Sequence, residues 1–148
     1  MGSGNILGNV IASSGSHVSP GNSAGTLTLA GNLTLNDGAL LDFELASTSN
    51  SDMISMSSST LYLNNQDFFD FNFTALSGFG QGTYTLIDAG TISGDLGNNL
   101  TGTIGDYSAT LSKSGSDLIL TVVPEPGTCM LLAAACLGLF VVKRMGKK

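Results

Sequence analysis

Five carboxylic acids between positions 42 and 70 are the residues best suited to general acid–base chemistry. A glycoside hydrolase, for example, needs two carboxyl groups that face each other across a sugar. Asp42 and Glu44, however, alternate with the apolar residues of segment 41–45, so both should project from the solvent side of one strand. Charged side chains in that position discourage edge-to-edge association of strands. We therefore predict no catalytic role for the five acids, which are Asp42, Glu44, Asp52, Asp67 and Asp70.

His17 is the single histidine and the obvious candidate for a general base or a metal ligand. It lies in a stretch rich in Gly and Ser. No Ser or Asp stands at a spacing that is recognisable from known catalytic triads, and no cysteine lies nearby as a second ligand. The sequence therefore predicts a chain that is not an enzyme and that carries no cofactor.

Calcium is the stronger chemical alternative, because Asp and Asn supply the oxygen ligands that it prefers. Two segments offer them, Asn36-Asp37-Gly38 and the run 64–67, Asn-Asn-Gln-Asp. Both lack the spaced Gly-Gly-x-Gly-x-Asp repeat of calcium-binding β-rolls, and Asn, Asp and Gly are ordinary turn formers. We predict turns at both places and no metal site.

Two further sets of residues have chemistry that the sequence leaves undecided. Asn32, Asn72 and Asn99 each begin an Asn-x-Thr triplet, the pattern of a glycosylation acceptor. Such matches arise by chance in a chain this rich in Asn and Thr. Cys129 and Cys136 fall in an apolar stretch, where we expect small apolar filler, with acylation or pairing as the alternative.

Charge is divided unevenly along the chain. Residues 1–123 hold ten of the eleven acids against one base, Lys113, which gives them a formal charge of −9. Such a segment should repel nucleic acid and anionic lipid headgroups, so we expect neither as its partner. The other four bases lie in the last six positions: Lys143, Arg144, Lys147 and Lys148.

Apolar residues recur with a period of two between Gly and Asn turn signals, which predicts short, half-buried strands. Frequent Thr, Gly and Asn disfavour helix, so residues 1–123 should be all-β. The residues expected to point inward are Leu27, Leu29, Leu33, Leu35, Leu41, Phe43, Leu45, Leu61, Leu63, Phe69, Phe71, Phe73, Tyr84, Leu86, Leu118, Leu120 and Val122.

A weak repeat indicates how these strands are arranged. Leu27, Leu45 and Leu63 stand 18 positions apart (45 − 27 and 63 − 45), which favours three short strands per turn of a β-solenoid. An antiparallel β-sandwich is the alternative, since its strands recur every 8–12 residues or so. So few turns suggest the C-terminal part of a longer solenoid. We expect residues 1–123 to be the end of an exported β-rich body, capped by an irregular segment, 76–123.

Segment 17–29, His-Val-Ser-Pro-Gly-Asn-Ser-Ala-Gly-Thr-Leu-Thr-Leu, resembles the repeats associated with autotransporter passenger β-strands. Segment 82–87 followed by segment 117–122 is similar to them too. Those repeats build right-handed β-helices that are exposed outside the cell. The resemblance therefore implies a right-handed solenoid at the cell surface.

Residues 124–148 are different in kind. Pro124 and Pro126 each remove a backbone donor and disfavour helix in the residue before them, so the Pro-Glu-Pro segment should end the last strand. The apolar run after it predicts one short transmembrane helix over about residues 128–142. The basic residues 143–148 should stop transfer and stay in the cytoplasm, which puts residues 1–123 across the membrane.

This three-part tail resembles the PEP-CTERM sorting signal of Gram-negative bacteria, with Pro124-Glu125-Pro126, an apolar helix and a basic terminus in that order. The resemblance implies recognition at or near Pro-Glu-Pro by an exosortase, an integral-membrane cysteine protease or transpeptidase. It also implies an inner-membrane intermediate, followed by release or transfer of the body to the cell surface or extracellular matrix, often in organisms that make exopolysaccharide.

Three functions follow as hypotheses. The first is a structural or adhesive protein of a biofilm or envelope matrix, with self-association or exopolysaccharide as its contacts. The second is a glycan-binding module that uses Tyr62, Phe79, Tyr84 and Tyr107 as stacking platforms. The third is the non-catalytic end of a longer β-helix enzyme that acts on polysaccharide. Residues 1–25 show no secretory signal pattern, so we expect the signal peptide further upstream.

Overall fold

The computed structural model describes residues 3–127, and this part of the chain is all-β, as the sequence predicts. Thr, Ile, Val and aromatic side chains suit a pleated surface, and Gly and Asn supply the turns between strands. A 3-10 turn at Phe68–Asp70 follows the eighth strand. The strands are β1 Ser3–Ile6, β2 Val10–Ala12, β3 His17–Val18, β4 Thr26–Leu29, β5 Leu33–Leu35, β6 Leu40–Ser47, β7 Asn50–Ser51, β8 Met53–Gln66, β9 Phe71–Ala75, β10 Gly82–Leu96, β11 Thr101–Ile104, β12 Tyr107–Ser114 and β13 Asp117–Pro124.

Nine of the first ten strands form three ladders of parallel strands, which we name A, B and C. Ladder A contains β1, β4, the first part of β8 and the middle of β10. Ladder B contains β2, β5, the second part of β8 and the end of β10. Ladder C contains β3, β6 and β9. The chain therefore passes through A, B and C in that order and returns to A, so each passage stacks on the one before.

These ladders belong to two sheets. Ladders A and B are part of a nine-stranded mixed sheet, and ladder C lies with β7 in a four-stranded sheet. Antiparallel pairing in the described chain is confined to β6 with β7 and to the group β10–β13. The alternative of an antiparallel sandwich is therefore wrong, because the strands before β10 pair almost entirely in parallel.

Stacked strands lie further apart in sequence than the 18 residues that the leucine spacing predicts. Between the first two passages, all three ladders have a register of 23 positions, as in Ser3↔Thr26 (26 − 3). The next interval widens to 27 on ladder A, Thr26↔Met53 (53 − 26), and to 30 on ladder C, Leu41↔Phe71 (71 − 41). The three leucines of the 18-residue spacing lie on three different ladders, so their spacing is not the repeat.

The core consists of apolar columns that run across the ladders. On ladder B, the residues in register are Val10, Leu33, Leu61 and Ile92, and the two leucines are fully buried. One passage cannot bury its own apolar side chains, so each depends on its neighbours in the stack. Ladder C contributes aromatic side chains, with the ring of Phe43 lying 6.4 Å from that of Phe71.

One predicted core residue lies elsewhere. Phe69 is 76% exposed, because it stands on the 3-10 turn and not on a strand. Its neighbour Phe68 is buried in its place. The period-two pattern of Phe69, Phe71 and Phe73 therefore predicts strand β9 correctly but wrongly includes Phe69 in it.

A close backbone contact supports the turn between ladders A and B. Gly31 follows β4, and the equivalent residue of the first passage is Gly8 (31 − 8 = 23). A Cβ atom on Gly31 would lie 2.5 Å from the carbonyl carbon of Gly8. Only glycine lets the two turns stack this closely.

The last three strands close one end of the stack by antiparallel pairing. β13 lies between β10 and β12, and β11 pairs with β12. Segment 76–123 is thus largely regular strand, contrary to the irregular cap that the sequence predicts. The 3-10 turn joins the two regions: the Phe68 N–H donates to the Asn99 carbonyl oxygen at 2.7 Å, and the Phe68 ring lies against Gly102, where any Cβ would overlap it.

Within residues 3–127, no helix is long and apolar enough to cross a membrane. The predicted transmembrane helix over about residues 128–142 lies outside the described residues.

Candidate functional sites

The Pro-Glu-Pro segment stands where the last strand leaves the sheet. Pro124 is the final residue of β13 and pairs in register with Tyr107 of β12. On the other side of β13, the partner strand β10 reaches only to Val122. The missing N–H of Pro124 therefore leaves no gap in the β10–β13 pairing. The sequence predicts that the strand ends before Pro124, so the predicted end is wrong by one residue.

The segment is also accessible. Pro124 and Pro126 are exposed and Glu125 is half-buried. Beyond the strand pairing of Pro124, the Glu125 N–H makes a long hydrogen bond to the Asp106 carbonyl oxygen at 3.4 Å. An enzyme that reads an extended peptide could approach this segment without unfolding the sheet.

The other predicted residues of the tail lie outside the described residues. This applies to the predicted membrane-stop residues Lys143, Arg144, Lys147 and Lys148. It applies equally to Cys129 and Cys136, so the roles of these six side chains stay predictions from sequence.

Ladder C presents a column of polar side chains on its outer face. Ser19, Asp42 and Asn72 come from three successive passages. The Ser19 hydroxyl donates to Asp42 Oδ2 at 2.9 Å, and Asn72 Nδ2 donates to Asp42 Oδ1 at 2.7 Å. His17 Nδ1 also lies 2.9 Å from Asp42 Oδ2. We name these four residues the Asp42 cluster.

The Asp42 cluster is a structural network and not a catalytic triad. Burial alone would raise the pKa of Asp42, but the hydrogen bonds from Asn72, His17 and Ser19 outweigh it and hold the pKa below its ordinary value. In a triad, the imidazole lies between the hydroxyl and the carboxylate. Here the carboxylate lies between Ser19 and His17, so the Ser19 hydroxyl donates to a carboxylate and not to an imidazole.

Glu44, the other predicted surface acid of this strand, is less exposed than its position suggests. Both Asp42 and Glu44 are half-buried. Glu44 Oε2 is enclosed and has no hydrogen-bond partner among the described residues. The two carboxylates thus differ in role, because only that of Asp42 joins successive passages.

Asp52 is buried, whereas the sequence places it among solvated acids. It is 1% exposed. Its carboxylate accepts hydrogen bonds from the N–H groups of Gly25 at 2.9 Å and Glu44 at 2.8 Å. Asp52 therefore fastens the entry of β4 to the middle of β6. No pattern in the sequence reveals this role, since Gly25 and Asp52 are 27 positions apart (52 − 25).

Asp67 and Asp70 organise the 3-10 turn. Asp70 Oδ2 accepts from the Asp67 N–H at 2.8 Å. Asp67 Oδ1 accepts from the Asn99 N–H at 2.9 Å. Both acids thus accept hydrogen bonds from backbone N–H groups, Asp70 within the turn and Asp67 from Asn99.

Of the two candidate calcium segments, Asn36-Asp37-Gly38 is a turn, whereas Asn64, Asn65 and Gln66 are the end of strand β8, so the turn predicted at 64–67 is wrong. In the run 64–67, the Gln66 amide is fully buried: its Nε2 donates to the Asn36 carbonyl oxygen at 3.0 Å, and its Oε1 accepts from the Asn64 N–H at 2.8 Å. The Asn36 carbonyl oxygen also accepts from the Ala39 N–H at 2.9 Å, which closes the turn at 36–38. Among residues 3–127, no group of three or more His, Cys, Asp or Glu could hold a metal ion.

The three Asn-x-Thr asparagines also take part in the scaffold. Asn32 Oδ1 accepts from the Thr60 N–H at 2.9 Å, and the Asn32 N–H donates to Asn9 Oδ1 at 2.8 Å. Asn72 belongs to the Asp42 cluster. Asn99 Nδ2 lies 3.4 Å from Asp67 Oδ2. Each of the three therefore joins segments that are distant in sequence.

The predicted sugar-stacking aromatics do not share a face. Tyr84 is 2% exposed, and its hydroxyl donates to the Gly80 carbonyl oxygen at 2.8 Å. Phe79 packs on Tyr84 and Tyr107, with ring centroids 5.7 and 5.5 Å apart. Tyr62 alone of the four is well exposed, at 40%. Tyr84 thus belongs to the core, and Phe79 and Tyr107 are half-buried against it.

Comparison with models of known protein families gives no match to this chain, and comparison with curated proteins finds no similar sequence.

Proposed function

We propose that this chain is an exported structural or adhesive protein of the cell surface or extracellular matrix, sorted through a C-terminal PEP-CTERM signal. The observation that carries the proposal is the position of Pro124-Glu125-Pro126. The segment is accessible, and it begins at the final residue of the last strand of the folded body. Cleavage after Pro124 by an exosortase would leave every described strand intact.

The body is proposed to be the C-terminal part of a right-handed β-solenoid. Three features support this: the constant order of ladders A, B and C, the stacked apolar columns and the equal register of 23 positions between the first two passages. The hand comes from a general rule, since crossovers between parallel strands are right-handed in about 98% of cases. β11–β13 then act as the cap.

A structural role fits the chemistry of the described side chains. The acids that looked most reactive are bound to backbone or amide groups of other passages, as the Asp42 cluster and Asp52 illustrate. The carboxylate oxygens of these acids accept hydrogen bonds that hold neighbouring segments of the stack in register. A rigid, acidic stack is suited to presentation in a hydrated matrix, because its charge keeps it soluble.

The test is the C-terminal residue of the protein in a host that has an exosortase. We expect intact mass to place the end of the processed chain near Pro124–Pro126. A variant with Pro124→Ala and Pro126→Ala should remain full-length. Val123→Ala is the matched control, since Val123 is an exposed neighbour, and it should be processed normally. Full-length wild-type protein in that host would contradict the proposal.

A second candidate, binding of a neutral sugar, has one observation in its favour. A cavity of about 220 Å³ is lined by hydroxyl groups and has no charged residue at its wall. Hydroxyls can hydrogen-bond a sugar, and Tyr84 and Met53 add apolar surface. Thr48→Val should then abolish binding on a glycan array, with Thr60→Val as the control outside the cavity. An array without signal for the wild type would dispose of this candidate. The lining residues are Thr26, Thr48, Ser49, Ser51, Met53, Tyr84 and Thr85.

A further inference from the structure

The outer face of ladder B carries a row of three side chains that end in or contain a hydroxyl group. Thr34 of β5, Tyr62 of β8 and Ser93 of β10 stand in register on neighbouring strands. Leu33 and Leu61, the preceding residues on β5 and β8, are fully buried, so alternation turns the row toward solvent. Neighbouring strands lie about 4.8 Å apart, which makes the row about 10 Å long. We name these three residues the Tyr62 row.

The hydroxyl groups of the Tyr62 row are not used by the fold. The side-chain hydrogen bonds of ladder B lie near the strand ends, as with Asn32 and Gln66. Within residues 3–127, the three hydroxyls of the row make none. The outer row of ladder C is different, because the Ser19 hydroxyl and the Asn72 amide both donate to Asp42. Those groups satisfy each other, whereas the hydroxyls of the Tyr62 row can exchange water for a ligand.

The ring of Tyr62 is an exposed aromatic surface within this row. Its side chain is 40% exposed, whereas that of Tyr84 is 2% exposed. Tyr is a good strand former, so the ring gains its significance from the hydroxyl groups on both sides of it. An aromatic face offers apolar contact to the C–H bonds of a sugar, and the flanking hydroxyls offer hydrogen bonds. The row therefore has both kinds of group that a sugar needs.

The Tyr62 row also lies on an almost uncharged face. The flanking outward positions of β8 and β10 are Thr60, Asn64, Thr91 and Asp95, which pair in register as Thr60↔Thr91 and Asn64↔Asp95. Asp95 alone of these four is charged, and its Oδ1 accepts from the Lys113 ammonium at 2.7 Å. The groups around the ring are therefore neutral or paired.

The corresponding row of ladder A is acidic at one end. Thr28, Ser55 and Asp88 stand in register there, and Asp88 lies opposite Asp117 of β13. With a formal charge of −9 on residues 1–123, the body repels an acidic polymer at long range. A partner of the neutral row should therefore be uncharged.

We propose that the Tyr62 row binds an uncharged polysaccharide of extended, β-linked sugars. One sugar ring stacks on Tyr62, and the neighbouring sugar units accept or donate hydrogen bonds at Thr34 and Ser93. A flat sheet face suits a flat polymer, and the length of the row is comparable to that of a disaccharide. The proposal rests on the structural role proposed above and names the matrix component that the body would hold. Its test does not involve Pro-Glu-Pro, so processing and polymer binding can fail independently.

The experiment measures retention of the full chain on insoluble polymers, in a polyoxyethylene detergent that has no sugar head group. The neutral polymers are cellulose, chitin and β-mannan, and resin-coupled alginate is the acidic comparison. Wild type should bind at least one neutral polymer with a saturable isotherm and should not bind alginate. Because no charge takes part, the affinity should change little between about 0.1 M and about 1 M salt, where the Debye length falls from about 10 Å to about 3 Å.

Substitutions locate the contact on the row. Tyr62→Ala should weaken binding about tenfold or more, as for a central aromatic anchor, and Tyr62→Phe should keep most of the affinity. Thr34→Val and Ser93→Ala should each weaken it about threefold, the effect of one net hydrogen bond. Phe69→Ala removes an exposed aromatic on another part of the body and should change nothing. Thr48→Val, in the wall of the cavity, should also change nothing.

Three outcomes would overturn the proposal. The first is a wild type that none of the neutral polymers retains. The second is an equal loss of binding in Tyr62→Ala and Phe69→Ala, which would indicate unspecific adhesion of aromatic surface. The third is a loss of binding in Thr48→Val with none in Thr34→Val and Ser93→Ala, which would assign the polymer to the cavity. Thermal unfolding followed by circular dichroism checks each variant, and the two hydroxyl variants decide the question if Tyr62→Ala is unstable.

Discussion

Asp52 and Glu44 hold each other through two hydrogen bonds. The Asp52 N–H donates to the Glu44 carbonyl oxygen at 2.8 Å, and the Asp52 carboxylate accepts from the Glu44 N–H, also at 2.8 Å. The second carboxylate oxygen accepts from the Gly25 N–H at 2.9 Å. One buried side chain thus binds the backbone of two different segments, and both of its oxygens are used.

Asp52→Asn should destabilise the chain by about 1–3 kcal/mol, because one oxygen is replaced by an NH₂ group that faces an N–H donor. The measurement is thermal or urea unfolding followed by far-UV circular dichroism. Asp37→Asn is the matched control, since Asp37 is an exposed turn residue, and it should change stability by less than about 0.5 kcal/mol. Equal effects of the two substitutions would show that the hydrogen bonds of the Asp52 carboxylate to Gly25 and Glu44 do not stabilise the fold.

Gly102→Ala should cost about 1–3 kcal/mol, the usual range for overpacking, because the new Cβ overlaps the Phe68 ring. In a Phe68→Ala background the same substitution should be nearly neutral, which a double-mutant cycle measures as a coupling energy. Gly8→Ala provides the control, since a Cβ there meets nothing within 4 Å. Additive effects at positions 68 and 102 would contradict the contact.

Gln66→Glu should destabilise the chain at neutral pH, because a carboxylate would face the carbonyl oxygen of Asn36 where Nε2 now donates. The folded state would favour the protonated acid, so the pKa of the new group should rise above its ordinary value. Stability is then present at low pH and is lost as pH rises through that raised pKa. Gln81→Glu, at an exposed position, is the control: its free energy of unfolding relative to wild type should not increase when the pH is lowered.

Asp42 gives the opposite pH dependence. The pKa of its carboxyl lies below the ordinary 3.8 in the folded chain. The stability that it adds is therefore complete above the ordinary value and is lost as pH falls through the lowered folded pKa. Between about pH 5 and about pH 2, wild type should lose more unfolding free energy than Asp42→Asn does. Parallel curves for the two proteins would rule out a stabilising Asp42 cluster.

The local part of the fold could be predicted from sequence, because period-two alternation and Gly or Asn turns act over a few residues. Leu27 with Leu29, and Leu41 with Phe43, were assigned to the correct strands and faces for this reason. The register of the ladders could not be predicted from sequence, since it depends on turns of unequal length between passages. Spacing of similar leucines at 18 positions therefore suggested a repeat that the pairing does not have.

The candidate sites divide in the same way. Pro124-Glu125-Pro126 is contiguous, so its position at the end of the last strand could be predicted to within one residue. The Asp42 cluster joins His17, Ser19 and Asn72, which are brought together only by the register of ladder C. The sequence places Tyr84 both among the inward residues of a strand and among the stacking platforms of the glycan hypothesis, and the structure buries it. Alternation alone does not tell an outward aromatic from one that spans the core.

β13 has a mechanical consequence that follows from its central place in the sheet. It is hydrogen-bonded along one side to β10 and along the other to β12, and it leads directly into Pro124 and Glu125. A pull on the chain beyond Glu125, directed along the strand, would shear both rows of hydrogen bonds together and could not open them one at a time. Whatever holds the C-terminal side of the body thus pulls on a strand that is paired on both sides, and the pairing of β10 with β8 passes the tension on to the parallel ladders.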